Sequence, residues 1–150
     1  MAEQRVRQLR VVVEAEDYDE AVRFFRDVLG MDEQAAFAEG DDDRVAILDA
    51  GRATLEIASP AHKREIDRVE GVTVPSPRIR LAFEVDDSPA ATAELAAAGG
   101  EVVAEPVMTP WRSVNSRLEA PAGLQITLFQ ETETLEERSA REGFGTGTER

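Results

Sequence analysis

The sequence LRVVVEAED at residues 9–17 recurs in similar form as IRLAFEVDD at residues 79–87, 70 residues further along the chain. In each copy an apolar stretch with strand propensity leads into a helical pattern. The first helix is predicted to end before Gly30, and the second is predicted to run from Ser88 to Ala98. A half-domain of this kind has an open, half-buried sheet that needs a partner to cover it. The repeat therefore predicts two modules with a cleft between them.

The first module is predicted to contain a strand, a helix and three further strands. Asp17 followed by Glu20 is typical of a helix capping box, so the helix is expected to begin near Tyr18 and to end at Leu29. A turn at residues 40–43 and a tight turn at Ala50-Gly51 separate the later strands. The predicted strands are 9–17, 34–39, 44–49 and 52–58.

A short helix and a linker are predicted between the modules, and the second module then repeats the first. Ser59-Pro60 indicates a helix start, with the helix continuing to about Arg68, and Ser88-Pro89 repeats that cap-plus-proline start. The last two strands are expected to form a hairpin around Pro121-Ala122-Gly123. The remaining predictions are a linker at 70–77, strands at 79–87, 101–104, 113–119 and 124–130, an irregular segment at 105–112 and an acidic, flexible tail at 131–150.

Composition excludes several classes of function. The chain has 150 residues, a net charge of −14 at pH 7 and no cysteine. No apolar run approaches the roughly 20 residues that cross a bilayer, and no signal-like stretch opens the chain, so we expect a cytoplasmic protein without a membrane partner. The acidic surface would repel a phosphate backbone, so no nucleic-acid partner is expected. It favours cationic or zwitterionic ligands, unless the acidity serves solubility alone.

Three stretches carry a resemblance to a known family. They are DYDEAVRFF at residues 17–25 leading to Val28-Leu29-Gly30, Val85-Asp86-Asp87, and PAGLQITL at residues 121–128. On these residues the chain resembles the vicinal-oxygen-chelate superfamily, which includes glyoxalase I, extradiol dioxygenases, fosfomycin-resistance enzymes and bleomycin-resistance proteins. The resemblance covers roughly residues 6–130. It implies an α+β fold of two βαβββ modules that form an open mixed-sheet barrel around a ligand cleft, within one domain of residues 1–130 whose modules span about 6–69 and 78–130.

The same resemblance implies a divalent metal held by one ligand from each of four strands, typically His, Glu, His and Glu. The corresponding positions here are Arg10, Glu56, Arg80 and Thr127. Only Glu56 keeps the ligand type, and an arginine has no lone pair to offer a metal. We therefore expect no family-type metal and no cofactor.

Strand alternation predicts what lies in the cleft instead of a metal. If Val11, Val13, Leu118, Ile126 and Leu128 face the core, a polar set faces the cleft. Together with Trp111, a candidate stacking lid or barrel seal, the predicted ligand-binding residues are Arg10, Glu14, Glu56, Arg80, Glu84, Asn115, Arg117, Thr127 and Phe129. The alternation also places Glu119 and Gln125 on that side.

Two interpretations of these charges stay open. The arginines and glutamates either form a closed network that fills the ancestral metal position, because buried charges must be paired, or they leave an open pocket with fork-shaped donors for a carboxylate or carbonyl. His62, the only histidine, is expected on the exposed surface.

The predicted function is metal-independent binding of a small organic ligand, as in the drug-sequestering bleomycin-resistance type. The resemblance also implies a homodimer. The alternative is an enzyme of the lyase, isomerase or dioxygenase type, with a divergent metal site or with an Arg-Glu pair acting without metal. No catalytic residue is assigned.

Overall fold

A computed structural model describes residues 7–8, 10–39, 42–134, 136–137 and 140. Its first helix, α1, is α-helical over Tyr18–Val22 and continues as a π-helix over Arg23–Val28. The other elements are β1 (Glu33–Glu39), β2 (Asp43–Leu48), α2 (Pro60–Val69), β3 (Leu81–Glu84), α3 (Ser88–Ala97), β4 (Glu101–Met108), β5 (Ser113–Ala120) and β6 (Leu124–Glu131). None of the described helices is long and apolar enough to cross a membrane.

The second module is a complete βαβββ unit. Its four strands form one mixed sheet in the order β3-β6-β5-β4, with β3 parallel to β6 and the other neighbours antiparallel. Arg117 pairs with Thr127 and Leu118 with Ile126 in the β5–β6 register. The predicted hairpin, with its turn at Pro121–Gly123, is thereby confirmed. The sheet is open, and the predicted α+β class is confirmed.

The first module contains fewer strands than predicted. Among the described residues its sheet consists of β1 and β2, which form an antiparallel hairpin. The stretches 10–16 and 52–58 are not strands, because a sequence with strand propensity forms a ladder only where another strand offers its edge. Their large apolar side chains are exposed, 53% for Val11, 39% for Val13 and 86% for Ile57. The prediction that Val11 and Val13 face the core is therefore wrong.

Two smaller predictions also need correction. Helix α3 is capped by Asp87, which accepts a hydrogen bond from the Ala90 N–H at 3.0 Å, and not by Ser88. Ser88 is buried and donates its hydroxyl to the Leu128 carbonyl at 3.2 Å. Strand β4 continues through residues 105–108, which were predicted to be irregular. It does so because β4 is an edge strand, where a register shift accommodates Pro106.

The other helix starts are confirmed. Asp17 accepts a hydrogen bond from the Glu20 N–H at 3.0 Å, and Ser59 accepts one from the His62 N–H at 3.2 Å. The predicted turn at 40–43 and the tail at 131–150 fall largely outside the described residues.

The core lies between helices α1 and α3 and one face of the four-stranded sheet. Phe24 and Phe25 of α1 and Leu95 of α3 cover that face, with the two phenyl rings edge to face at 5.1 Å. The buried residues are Phe24, Phe25, Leu95, Leu118, Ile126 and Leu128. The prediction that Leu118, Ile126 and Leu128 belong to the core is confirmed, so alternation places their polar neighbours on the opposite face of the sheet.

Leu118 of the second module is buried and Leu55 of the first is exposed, so their replacement is expected to affect stability differently. Leu118→Ala removes a fully buried side chain and is expected to lower the free energy of unfolding by about 2–5 kcal/mol. Leu55→Ala, at 75% exposure, is the matched control and is expected to cost about 0.5 kcal/mol or less. Urea unfolding followed by circular dichroism measures both. A Leu55→Ala loss as large as that of Leu118→Ala would contradict the exposed placement of residues 52–58.

Candidate functional site

Arg117 lies at the centre of a polar cluster on the face of the sheet opposite the core. It comes from the middle of β5, and its side chain is 0% exposed. Its Nη1 donates to Asp67 Oδ1 at 3.0 Å and to Gln125 Oε1 at 2.9 Å, and its Nη2 lies 3.3 Å from Glu70 Oε2. Gln125 in turn donates to Glu119 at 2.8 Å. Helix α2 therefore covers the polar face and supplies the carboxylates that pair with the buried guanidinium.

Helical spacing explains why α2 presents these carboxylates. Lys63, Ile66, Asp67 and Glu70 follow one another at i, i+3, i+4 and i+7, so they share one face of the helix. Ile66, Asp67 and Glu70 are buried, and Lys63 Nζ lies 3.5 Å from Asp67 Oδ2. The buried stripe of this helix is mostly charged.

The chain after α2 completes the surroundings of Asp67. The N–H and the hydroxyl of Ser76 donate to Asp67 Oδ2 at 3.2 and 3.0 Å. Burial by itself would raise the pKa of Asp67, but the hydrogen bonds from Ser76 and Arg117 outweigh it, so the pKa lies below its ordinary value of 3.8. Asp67 is therefore ionised at neutral pH.

A second arginine, Arg80, lies beside this cluster. Its Nη1 donates to Thr127 Oγ1 at 2.6 Å. Burial and the charge of Arg117 lower the pKa of Arg80, while the carboxylates of Glu70, Asp67 and Glu56 oppose that shift. Two guanidinium groups thus lie on one sheet face, balanced by carboxylates from α2 and from the segment before it.

Several buried polar atoms in the cluster have no hydrogen-bond partner among the described residues. They are Arg117 Nε and Nη2, Glu70 Oε1 and Asn115 Oδ1. Native proteins leave few such atoms unpaired, because an unpaired buried group loses its hydration without compensation. The cluster therefore holds unused donors and unused acceptors together.

The structure brings some of the predicted site residues together and leaves others apart. Asn115, Arg117 and Thr127 are buried on the polar face, with Arg80 and Phe129 half-buried. Trp111 is half-buried beyond β4, with its ring 6.5 Å from that of the exposed His62 of α2.

Three predicted residues lie apart from the Arg117 cluster or at its margin. Arg10 is exposed and donates to Gln8 at 3.3 Å, and Glu14 is exposed on the same non-strand segment. These two lack the predicted strand alternation, because no strand of the described residues pairs with their segment. Glu56 is exposed, and its charge acts on Arg80.

Glu84 and two surface grooves lie away from the Arg117 cluster. Glu84 is exposed at the end of β3, beside a groove of about 380 Å³ between α1 and α3. A second groove of about 310 Å³ lies between α1 and the β1–β2 hairpin. Neither groove is lined by Arg80 or Arg117, since α2 covers the face on which the arginines lie.

Sequence reasoning missed Asp67 and Glu70. Neither residue is among the predicted ligand-binding residues, although Glu70, the C-cap of α2, does begin the predicted linker at 70–77. The detectable signal was the spacing of Ile66, Asp67 and Glu70 on one helical face, close in sequence to a sheet predicted to carry several arginines.

The residues at the metal positions do not fit the metal that the resemblance implies. Arg80 and Thr127, which stand at two of those positions, are hydrogen-bonded to each other. Arg10 at a third position cannot ligate a metal. Within the part of the chain that the structure describes, no group of three or more His, Cys, Asp or Glu side chains could hold a metal ion.

A comparison with models of protein families shows which family the chain belongs to. The model of the glyoxalase-like domain matches residues 10–129. The chain belongs to this family. A comparison with curated proteins finds no match.

Several solved structures share the fold of this chain. A glyoxalase family protein from Bacillus cereus is 19% identical, with a TM-score of 0.59 over 89% of this chain and 99% of the other. A glyoxalase-related enzyme from Fulvimarina pelagi is 17% identical, with a TM-score of 0.51 over 84% and 89%. A mutant of glyoxalase I from Zea mays is 16% identical, with a TM-score of 0.54 over 81% of this chain and 43% of the other. At these identities the likeness concerns the fold.

The Arg117 cluster predicts a large loss of stability with a specific pH dependence. Arg117→Met leaves the Asp67 and Glu70 carboxylates buried without their partner, so the free energy of unfolding at pH 7 is expected to fall by about 3–5 kcal/mol. A stranded buried carboxylate has a raised pKa, and a group with a raised folded-state pKa favours the folded state as the pH falls. The loss relative to wild type should therefore be smaller at pH 5 than at pH 7.

Arg10→Met is the matched control for this prediction. Arg10 is exposed, so its replacement is expected to change stability by about 0.5 kcal/mol or less at both pH values. Urea unfolding of both variants at pH 5 and pH 7 gives the four free energies of unfolding to be compared with wild type. A near-wild-type melt for Arg117→Met would show that the cluster does not hold α2 on the sheet.

Proposed function

We propose that the protein binds a small organic ligand without a metal ion, at the face of the second sheet that carries Arg80, Arg117 and Thr127. The observation that carries the proposal is the 2.6 Å hydrogen bond between Arg80 and Thr127. It joins two positions at which the family resemblance implies metal ligands, and it gives that place a guanidinium donor instead of a Lewis acid. A fork of N–H donors suits a carboxylate or a carbonyl group.

The surroundings of Arg80 support a binding role. Its side chain is half-buried, so part of it faces solvent beside a covered polar cluster. Phe129 and Trp111 are also half-buried and offer aromatic area for an organic skeleton. The net charge of −14 favours a ligand that carries a positive group as well, which agrees with a zwitterion. The drug-sequestering type of the superfamily is the functional analogy, and it rests on the fold alone.

We also propose that the protein works as a homodimer in the cytoplasm. Val12, Leu55, Ile57 and Phe37 are exposed apolar residues of the first module, and β1 and β2 present unpaired strand edges. Such edges and patches are commonly covered by a second subunit. The absence of cysteine agrees with a compartment in which disulfides do not form.

The metal-free proposal predicts the composition of the purified protein. Elemental analysis of protein purified without chelator is expected to find far less than one Zn, Ni, Fe or Mn per chain, because two arginines occupy ligand positions. A thermal-shift screen of metabolites and drugs is expected to yield a compound that stabilises the protein equally with and without EDTA. The stabilisation should be lost in Arg80→Met and kept in Arg10→Met.

Two results would contradict this proposal. Stoichiometric metal that disappears in Glu56→Gln would restore a metal centre of the family type. A broad screen in which no compound stabilises the wild-type protein would remove the binding function.

The assembly proposal is tested separately by light scattering. At micromolar concentration the mass is expected to be twice the 16.4 kDa of one chain, because the exposed apolar residues of the first module need a cover. Ile57→Glu places a charge in that surface and should shift the mass toward the monomer. A wild-type mass of one chain would count against the dimer.

A further inference from the structure

We infer that the ligand of this face is a small aminocarboxylate or hydroxycarboxylate, recognised by Arg117 and Asn115 beneath α2. The inference rests on the proposed function and adds the chemical class of the ligand. It is argued from the buried polar atoms that have no hydrogen-bond partner among the described residues. A ligand with both an anionic group and a hydrogen-bond donor would pair with them.

The donors of Arg117 are used on one side only. A guanidinium has five N–H groups, and the two on Nη1 are taken by Asp67 and Gln125 at 3.0 and 2.9 Å. Nε and Nη2 have no hydrogen-bond partner among the described residues, although the side chain is fully buried. These two nitrogens form the edge of a guanidinium that binds a carboxylate with two parallel hydrogen bonds. The unused edge of Arg117 therefore matches a carboxylate.

The unused acceptors lie on the same face. Asn115 precedes Arg117 by two residues on β5, so both side chains point to one side of the sheet, about 7 Å apart along the strand. Asn115 Oδ1 and Glu70 Oε1 are buried and have no donor from any described residue. A simple anion would pair with the arginine and leave these oxygens unsatisfied. A ligand with an ammonium or hydroxyl group next to its carboxylate satisfies both kinds of atom.

Glu70 lies beside the Nη2 atom that the ligand's carboxylate would use. Its Oε2 lies 3.3 Å from Arg117 Nη2 without hydrogen-bond geometry, so it neutralises the charge without using the donor. A ligand carboxylate with better geometry would displace this contact, and the freed Glu70 could then accept from the ligand's donor.

A ligand at this edge of Arg117 requires helix α2 to shift away from the sheet. Residues 51–60, which lead into the helix, are all exposed, and the helix ends at Gly71, whose φ of +79° is the left-handed conformation that commonly terminates a helix. Apart from Ile66, the buried side chains of this segment are the charged groups Asp67 and Glu70. Their contacts with Arg117 hold α2 down, and these are the contacts for which a carboxylate competes.

The test is a matched series of four small probes: lactate, alanine, propionate and ethylamine. Lactate and alanine carry a carboxylate and a donor, propionate lacks the donor, and ethylamine lacks the carboxylate. We expect lactate or alanine to bind about tenfold or more tightly than propionate and ethylamine, as measured by thermal shift and by calorimetry, because a site built for a hydrogen-bonding group rejects the analogue that lacks it. Inorganic phosphate serves as an anion without an apolar part.

Conservative variants separate recognition from folding. Arg117→Lys keeps the positive charge and removes the bidentate edge, and Asn115→Ala removes the acceptor, so each should reduce lactate or alanine affinity about tenfold or more. Arg10→Lys is the matched control and should leave affinity unchanged. If Arg117→Lys unfolds, Asn115→Ala still tests the inference: it should abolish the preference for lactate or alanine over propionate and leave propionate binding as it was.

The outcomes distinguish this inference from the proposed function. Equal stabilisation by propionate, phosphate and lactate would identify a simple anion site and overturn the amino- or hydroxycarboxylate class. No stabilisation by any of the four probes, together with an Arg80-dependent hit of another class in the broad screen, would overturn the inference and leave the proposed function intact. Binding of lactate or alanine that Asn115→Ala and Arg117→Lys leave unchanged would place the site elsewhere.

Discussion

The guanidinium group of Arg117 is fully buried in the middle of β5. A buried charge requires a partner, because removal from water costs more than burial of the side chain returns. The partners are Asp67, Glu70 and Gln125, and the first two come from α2. The position of α2 over the sheet and the covering of the polar face follow from this requirement. Hydrogen bonds from Ser76, together with Arg117, hold the pKa of Asp67 below its ordinary value.

Strand β5 contributes to both faces of the four-stranded sheet, with apolar side chains on one face and charged side chains on the other. Leu118 lies in the core under α1 and α3, and Arg117, its neighbour in sequence, lies under α2. A shift of register by one residue would exchange the two sets of side chains, so the apolar face also determines where the charges go. The antiparallel pairing of Arg117 with Thr127 then brings Arg80, which hydrogen-bonds Thr127, into the same region.

The replacement of metal ligands in a glyoxalase-like fold changes what the site can do. A divalent ion binds lone pairs and polarises an oxygen atom, whereas a guanidinium donates hydrogen bonds in one plane. With Arg80 bonded to Thr127 and Arg117 paired with carboxylates of α2, the polar face carries oriented guanidinium groups, and the proposed binding of a carboxylate rests on them. The fold is shared with glyoxalase family proteins, and the side chains on its polar face set the chemistry.

The sequence by itself determined the elements that rest on local rules. Caps at Asp17 and Ser59, the hairpin around Pro121–Gly123, the core positions of Leu118, Ile126 and Leu128 and the loss of metal-ligand residue types follow from short spacings and alternation. The tertiary structure alone decided which strands found a neighbour, so that the stretches 10–16 and 52–58 stay unpaired. It also decided that Asp67 and Glu70 meet Arg117 across 50 and 47 residues of chain. Contacts at that separation depend on how a helix packs against a sheet, and local propensity carries no information about that packing.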